Sequence, residues 1–279
     1  VISPNGSIHP ELRSVFTMLS FALPNHEQMM KRVDFVRISI EGKKGKTAST
    51  ALTPDLHELI STNLLGLTST EAENCLSRCT VKHGGFTPDM IQTIKDEKAA
   101  IIKKSEVLTY IPEDSQVGQN EIGGFDQYLS WLDRRKQAYT RKARELNIDC
   151  PKGVVLLGLP GTGKSMVGKA TCALLGLPGY ILDVGALFGS MVGESEQRTR
   201  DALAQIDAQQ GCVLLIDEAD KALGNAHSST GDSGVTRRVF GTILTWLAEN
   251  KSRTFCIMTL NRTEGLLPAS PRAGRFDAI

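Results

Sequence analysis

The sequence predicts an α/β fold, in which a parallel sheet with helices on both faces follows a mainly helical N-terminal part. Short, apolar, β-rich runs recur between residues 154 and 260, and stretches with helical spacing separate them. A polar, turn-rich stretch at Pro112–Gly124 divides this region from the N-terminal half. We therefore predict two domains, residues 1–111 and residues 112–279.

Four helices are predicted in the N-terminal half, because four apolar stripes with helical spacing each follow a residue that favours a helix start. The predicted starts are Asn25, Pro54, Ser69 and Pro88, and the first helix is expected to run to about Ile40. The polar, basic stretch at Glu41–Ser49 is predicted to be a loop.

The C-terminal half alternates predicted strands and helices. The strands are predicted at 154–159, 180–184, 212–217 and 255–260, with helices near 165–175, 194–209 and 234–249. Nearly continuous apolar runs of this length are typical of parallel strands that are buried on both faces.

Composition limits the classes of protein that this chain can represent. The 279 residues carry 32 basic and 31 acidic side chains, so the net charge of +1 does not indicate nucleic-acid binding. No apolar run approaches the roughly 18–20 residues that span a membrane, and the first residues show no signal-peptide pattern. We expect a cytoplasmic protein. Because the sequence begins with Val1 and ends soon after a motif, we also expect it to be part of a longer chain.

The six cysteines are scattered and form no CxxC pair, which is typical of free thiols in a reducing compartment. Cys75, Cys79 and His83 share one face of a predicted helix. A metal site there would lack an evident fourth ligand, so the spacing favours ordinary packing.

The strongest motif is GLPGTGKS at residues 158–165, which fits G-x-x-x-x-G-K-[ST] between a predicted strand and a predicted helix. Its glycines let backbone N–H groups surround phosphate oxygens, Lys164 can reach the β- and γ-phosphates, and Ser165 can offer its hydroxyl to Mg²⁺. The motif predicts an ATP–Mg²⁺ site. The residues predicted to contact the nucleotide there are Pro160, Gly161, Thr162, Gly163, Lys164, Ser165 and Met166.

A second motif, CVLLIDE, places two adjacent carboxylates at the end of a buried strand. Two such charges are costly unless a cation or water lies beside them. Asp217 is predicted to hold Mg²⁺, and Glu218 is predicted to orient and polarise the water that attacks the phosphate.

Together these motifs resemble the AAA+ ATPases, in particular the branch of the membrane metalloprotease ATPases and p97-like unfoldases. The resemblance covers about residues 118–279. EIGG at 121–124 resembles the segment that meets the adenine in that branch, although Glu121 stands where Asp is usual. The resemblance implies main-chain adenine contacts at Ile122 and Gly123.

The resemblance also implies residues that act on a substrate and between subunits. Met191, Val192 and Gly193 lie where the family has its pore loop, although Met replaces the usual aromatic residue and weakens the inference of strong threading. Arg238 matches an arginine that lies at the subunit interface in relatives.

Further residues match the family's catalytic set. Asn261 resembles a sensor that positions the attacking water, and Arg272 and Arg275 match the two arginines of the finger segment. Because such fingers act across a subunit boundary, the resemblance implies a homo-oligomer, usually a hexamer.

YIPED (110–114), DVGALFGSMVGESE (183–196) and GDSG (231–234) followed by RVFGTILTWLAEN (238–250) carry a narrower resemblance. Together they resemble the cyanobacterial and plastid group of the hypothetical chloroplast reading frame forty-six. Residues 1–110 are similar to the tail of that group's degenerate AAA module, and residues 64–79 resemble a lid. The resemblance places the protein in the plastid stroma if it is plastid-encoded. It also implies a C-terminal lid after Asp277, which is absent from this chain.

Three functions are compatible with the sequence. The first is an ATPase that remodels a protein substrate or complex. The second is a slow-turnover, nucleotide-dependent switch or scaffold whose helical part binds the partner. The third, less favoured, is a nucleic-acid motor. It would use the basic, aromatic stretch at 131–145, although the helical spacing there directs the arginines to solvent and Trp131, Leu132, Ala138 and Leu146 to a core.

Overall fold

In the computed structural model, a helical part precedes a five-stranded, mostly parallel sheet, which confirms the predicted fold class. The structure describes residues 22–44, 52–103, 107–115, 121–188, 194–220, 233–261 and 276–278. In these ranges, no helix has both the length and the apolarity that crossing a membrane requires.

The elements alternate in the second half of the chain, as the sequence pattern indicates. The helical part comprises α1 (His26–Lys44), α2 (Pro54–Leu64), α3 (Ser69–His83) and α4 (Met90–Lys103). The described strands are β1 (Leu108–Ile111), β2 (Gly153–Leu157), β3 (Gly179–Leu182), β4 (Val213–Ile216) and β5 (Phe255–Leu260). The helices among them are α5 (Asp126–Asp133), α6 (Arg141–Glu145), α7 (Lys164–Leu175), α8 (Val184–Leu187), α9 (Glu194–Asp207) and α10 (Ser233–Glu249).

Side-chain caps set the starts of the first three helices. Asn25 Oδ1 accepts a hydrogen bond from the N–H of Gln28 at 2.9 Å, so Asn25 caps α1 as predicted. Thr53 caps α2 and Thr68 caps α3, each one residue before the predicted start. The fourth helix begins at Met90, two residues after the predicted Pro88.

The first helix is longer than predicted. It continues to Lys44 instead of ending near Ile40, so the first residues of the predicted loop at 41–49 are helical. The polar, basic and glycine-containing composition suggested a loop there. Lys and Glu are good helix formers, however, so a polar stretch can continue a helix. The rest of that predicted loop lies outside the described residues.

The helical part has its own core. Its buried members include Met29 and Val33 of α1 and Ile60 of α2. Cys75 and Cys79 lie in the same core with no exposed surface, and His83 instead hydrogen-bonds Thr93 Oγ1 at 2.9 Å. The helices therefore bury their apolar stripes against one another.

The sheet has the strand order β1-β3-β4-β5-β2, and only β1 runs antiparallel to its neighbour. Successive residues of a strand point to opposite faces. In β4, Leu214 packs on the face covered by α9 and α10, and Leu215 packs on the face covered by α5 and α7. Helices therefore cover both faces, as predicted.

The strand β1 was not predicted from the sequence. It lies before the predicted domain boundary at residue 112, yet Leu108–Ile111 pairs antiparallel with Gly179–Leu182 at the edge of the sheet. Four residues are too few to show a clear strand period, so the partner strand decides the conformation. The boundary itself stays a prediction, and β1 belongs to the sheet although it precedes residue 112.

The prediction that Trp131, Leu132, Ala138 and Leu146 all point to a core is partly wrong. The segment is not one helix: α5 ends at Asp133, a 3₁₀ turn follows, and Thr140 caps the separate helix α6. Leu132 is fully buried, but Leu146 is 63% exposed because the break changes the direction of its side chain. Arg135 covers the Trp131 ring, with its guanidinium carbon 4.2 Å from the ring centroid.

One turn of the helical part packs closely against the sheet domain. Gly66, between α2 and α3, has φ of +88°, and a Cβ there would lie 1.8 Å from Nε2 of Gln209. Gln209 is 6% exposed and follows the end of α9. Only glycine combines this backbone conformation with this close approach.

Gly66→Ala tests that contact, and Gly84→Ala is its matched control. Gly84 also has a left-handed φ, +75°, but a Cβ there meets nothing within 4 Å. In both variants the free energy of unfolding should fall by about 1 kcal/mol, because alanine is strained at a left-handed φ. Gly66→Ala should lose about 1–3 kcal/mol more, because Gln209 must move. Urea denaturation measures both, and equal losses would contradict the close contact.

Candidate nucleotide-binding site

The candidate site lies where three neighbouring parallel strands end. In the order β4-β5-β2, each strand is parallel to the next, so all three carboxyl ends meet at one edge of the sheet. The loop 158–163 follows β2, Asp217 follows β4 and Asn261 follows β5. The structure therefore brings together three motifs that are far apart in the sequence.

The phosphate loop depends on its glycines. Gly161 has φ of +80° and Gly163 has φ of +83°, conformations that other residues rarely adopt. The loop is also closed by its own side chains, since the Thr162 hydroxyl donates to the carbonyl oxygen of Leu159 at 2.8 Å. This folded loop leads directly into the first turn of α7, whose N-terminus favours an anion.

Lys164 is the buried cation of the loop. It is 8% exposed, and its Nζ donates to the carbonyl oxygens of Gly158 and Leu159 at 2.7 and 2.8 Å. Two neutral carbonyls leave the positive charge uncompensated. A phosphate oxygen beside this loop can therefore attract the ammonium by charge as well as by hydrogen bonding.

Ser165 and Asp217, the two predicted Mg²⁺ ligands, are in direct contact. The Ser165 hydroxyl donates to Asp217 Oδ2 at 2.7 Å. Hydroxyl and carboxylate oxygens are the donors that Mg²⁺ prefers, and the ion completes its octahedron with waters and phosphate oxygens. The residues present fit Mg²⁺.

Thr259 is a positioning residue that sequence reasoning missed. Its hydroxyl accepts from the N–H of Glu218 at 2.8 Å and donates to Asp217 Oδ1 at 2.5 Å. Glu218 has φ of +49°, which is uncommon for a residue other than glycine, and these bonds hold it there. A hydroxyl within the apolar run FCIMTL was the available signal.

Asn261 lies next to the phosphate loop. It is the first residue after β5, and the preceding carbonyl, that of Leu260, accepts a hydrogen bond from the N–H of Gly158 at 3.2 Å. The two segments are thus adjacent at the sheet edge. This position is compatible with the predicted contact between Asn261 and a water near the phosphates.

The predicted adenine segment packs beside the loop. Ile122 is 8% exposed and clusters with Val167 and Ala170 of α7, whereas nothing lies within 4 Å of a Cβ at Gly123. Met166, in the first turn of α7, is 45% exposed. The segment is therefore anchored to α7 through Ile122 and is open at the Gly123 backbone.

Several predicted residues lie outside the described parts of the chain. They are the finger arginines Arg272 and Arg275 and the pore-loop residues Met191, Val192 and Gly193. Asp277, two residues after Arg275, is described, and it accepts hydrogen bonds from the N–H groups of Lys152 and Gly153 at 2.6 and 2.9 Å. The end of the predicted finger segment is therefore attached to β2.

Arg238, the predicted interface arginine, joins two helices within the chain. Its Nε lies 2.8 Å from Glu196 Oε1, so it links α10 to the first turn of α9. The side chain remains 55% exposed. An exposed ion pair of this kind contributes little to stability, and it leaves the guanidinium accessible.

Comparison with known families matches both halves of the chain. Residues 154–279 match the model of the ATPase family associated with various cellular activities (AAA). Residues 36–105 match the model of the second domain of SpoVK-like AAA ATPases. The sheet domain and the helical part are thus each similar to pieces of AAA proteins.

Individual proteins match over the whole chain or the sheet domain. The AAA domain-containing protein ycf46 of Trieres chinensis is 34% identical over 279 residues, which are 100% of this chain and 54% of that protein. Its counterpart in Pyropia yezoensis is 33% identical over the same shares. The ATP-dependent zinc metalloprotease FtsH 4 of Synechocystis sp. is 30% identical over 64% of this chain and 30% of its own length. The chain spans about half the length of the ycf46 relatives.

Thr259→Val tests the positioning role of the hydroxyl, and Thr259→Ser, which keeps it, is the control. The valine variant removes the 2.8 Å hydrogen bond from the Glu218 N–H to the Thr259 hydroxyl. It also removes the hydrogen bond from that hydroxyl to Asp217 Oδ1. It should lose about 1–3 kcal/mol of unfolding free energy. It should also require several-fold more Mg²⁺ for half-maximal binding of a fluorescent ATP analogue. Equal Mg²⁺ dependence in the two variants would contradict the role.

Proposed function

We propose, from the premise that this chain belongs to the AAA family of ATPases, that it binds ATP with Mg²⁺ at residues 158–165 and hydrolyses the terminal phosphate bond. One observation carries the proposal. The 2.7 Å hydrogen bond between Ser165 and Asp217 joins the phosphate loop to the second acidic motif. A hydroxyl and a carboxylate that converge beside a buried lysine form a charge pattern suited to a Mg²⁺–phosphate complex.

Each residue of the site has a distinct role in this proposal. Lys164 exchanges a loop carbonyl for a phosphate oxygen, and Ser165 and Asp217 hold Mg²⁺, which neutralises charge on the phosphates. Glu218 orients the attacking water and accepts its proton. The hydrogen bond from Glu218 N–H to Thr259 sets the backbone from which that carboxylate extends.

Asn261 and the finger arginines complete the proposed site. Asn261 holds the same water from the end of β5, beside the loop. Arg272 and Arg275 are proposed to come from a neighbouring subunit and to stabilise the charge of the transition state, an effect of roughly 10³–10⁵ in rate. The site is then complete only in a homo-oligomer, which we propose to be a hexamer.

Hydrolysis is proposed to drive the remodelling of a protein substrate. Residues 191–193 immediately precede α9, and α9 packs against the sheet and against α10. Movement at the nucleotide site can therefore reach residues 191–193 through the strand ends and α9. The cytoplasm, or the plastid stroma for a plastid-encoded chain, is the proposed location.

Glu218→Gln tests the hydrolytic role directly. The amide cannot accept the proton, so phosphate release should fall about 10²–10⁴-fold while ATP binding is nearly unchanged. Glu249→Gln, on the exposed end of α10, removes the same charge away from the site and should leave turnover unchanged. Turnover of Glu218→Gln at the parent rate would show that another group activates the water.

Mixed oligomers test whether the finger acts between subunits. Arg275→Ala should abolish turnover with little change in ATP binding, and Lys164→Ala should abolish binding. When the two inactive variants are mixed, some Arg275→Ala sites gain an intact finger from a Lys164→Ala neighbour. Phosphate release should therefore reappear. No recovery in oligomers shown to exchange subunits would contradict a finger in trans.

A further inference from the structure

A cavity of about 500 Å³ lies between the helical part and the sheet domain. Its sheet-side lining includes Gly176–Pro178, which precede β3, and Gln210 and Gly211, which precede β4. It therefore opens at the amino ends of these strands, on the edge opposite the nucleotide site. The proposed ATPase reaction does not use it.

The inner end of the cavity contains a buried lysine. Lys98 of α4 is 7% exposed, and its Nζ donates to Gln209 Oε1 at 2.5 Å. The hydroxyl of Tyr180, which is fully buried, donates to the same oxygen at 3.1 Å. Within the described residues, this amide oxygen is the one acceptor for the three N–H donors of the ammonium.

Glu113, an acidic residue of the cavity lining, pairs with Lys95, and among the described residues no hydrogen bond or ion pair joins a carboxylate to Lys98. Burial raises the pKa of the Cys212 thiol to about 12 and raises that of the Tyr180 hydroxyl well above its ordinary value. The hydrogen bond with Cys79, together with burial, raises the pKa of Cys75, so all three groups are neutral at pH 7. Burial correspondingly lowers the pKa of Lys98 to about 7.

The outer end of the cavity is polar and mostly cationic. Lys95 pairs there with Glu113 at 2.5 Å, and Arg144 donates to the carbonyl of Gln210 at 3.2 Å. His26 lies 3.4 Å from Glu58 Oε1. An anion that approaches this opening meets more positive than negative charge on the lining.

The lining also contains apolar side chains. Leu59 and Leu65 contribute from the helical part, beside the polar Thr62 and Asn63, and Tyr110, Leu177 and Pro178 contribute from the sheet domain. A ligand that combines one charged group with an apolar body matches this arrangement. Such sites orient a ligand through a few polar groups within an apolar lining.

We propose that the cavity binds a small carboxylic acid, with its carboxylate on Lys98 and its apolar body against Leu65 and Leu177. One buried ammonium balances the single charge of a carboxylate, whereas a phosphate monoester brings nearly two. The bound acid supplies the acceptors that the ammonium lacks among the described residues. It also contacts both parts of the chain, so it stabilises their packing.

Isothermal titration calorimetry with hexanoate as the probe tests the proposal, with hexanamide and inorganic phosphate as comparison ligands. Hexanoate should bind one per chain, and both comparison ligands at least about tenfold more weakly. Lys98→Met should weaken hexanoate binding at least about tenfold. Lys103→Met, on the exposed end of the same helix, should leave it unchanged. Equal binding to both variants, or tighter binding of phosphate, would overturn the proposal.

Proton uptake provides a second readout, which a purely structural lysine would not show. At pH 8, hexanoate should restore the charge of Lys98, and titration in buffers of different ionisation enthalpy should show close to one proton taken up. At pH 6 the uptake should be near zero, since Lys98 is already charged.

Lys98→Arg, which stays charged, should bind hexanoate without uptake at either pH. The parent titration is decisive even if Lys98→Met fails to fold. Absence of hexanoate binding, or binding at pH 8 with no proton uptake, would overturn the carboxylate site. Because the ATP site lies on the other edge of the sheet, this result is independent of the ATPase assays.

Discussion

The parallel alignment of β2, β5 and β4 is the constraint on which the rest of the molecule depends. It places the ends of three strands side by side, so that the hydroxyl of Ser165 reaches Asp217, 52 residues further along the chain. The strands β4 and β5 are buried along their whole length, and a change in the order of the strands would separate the phosphate loop from its acidic partner. The candidate site is therefore a consequence of strand order as much as of the motifs.

The two edges of the sheet serve different purposes in this arrangement. The carboxyl edge carries the candidate nucleotide site, and the amino edge contacts the helical part through Gln209. The helix α9 belongs to the connection between the parallel strands β3 and β4, and Gln209 follows it at the amino edge. Burial of a polar amide between Gly66, Lys98 and Tyr180 makes this contact specific, because each of its partners must be in place to satisfy it.

Local sequence patterns predicted the structure correctly where a residue acts on the backbone close to it. Asn25 caps the helix that it was expected to cap, and the glycines of the phosphate loop adopt the conformations that their motif requires. Predictions from the sequence failed where a distant segment decides the conformation or the burial of a residue. The strand β1 exists because β3 offers it an edge, and Leu146 is exposed because the chain breaks into separate helices between residues 133 and 141.

By itself, the sequence determined the fold class, the family, the phosphate loop and the acidic pair, because each is encoded in a short run of residues whose chemistry is local. Tertiary structure alone decided the order of the strands and the role of Thr259, which holds both Asp217 and Glu218. It also decided the burial of Lys98 in a cavity between two parts of the chain. These features depend on contacts between residues far apart in the sequence, and no local pattern specifies which distant group a polar side chain will meet.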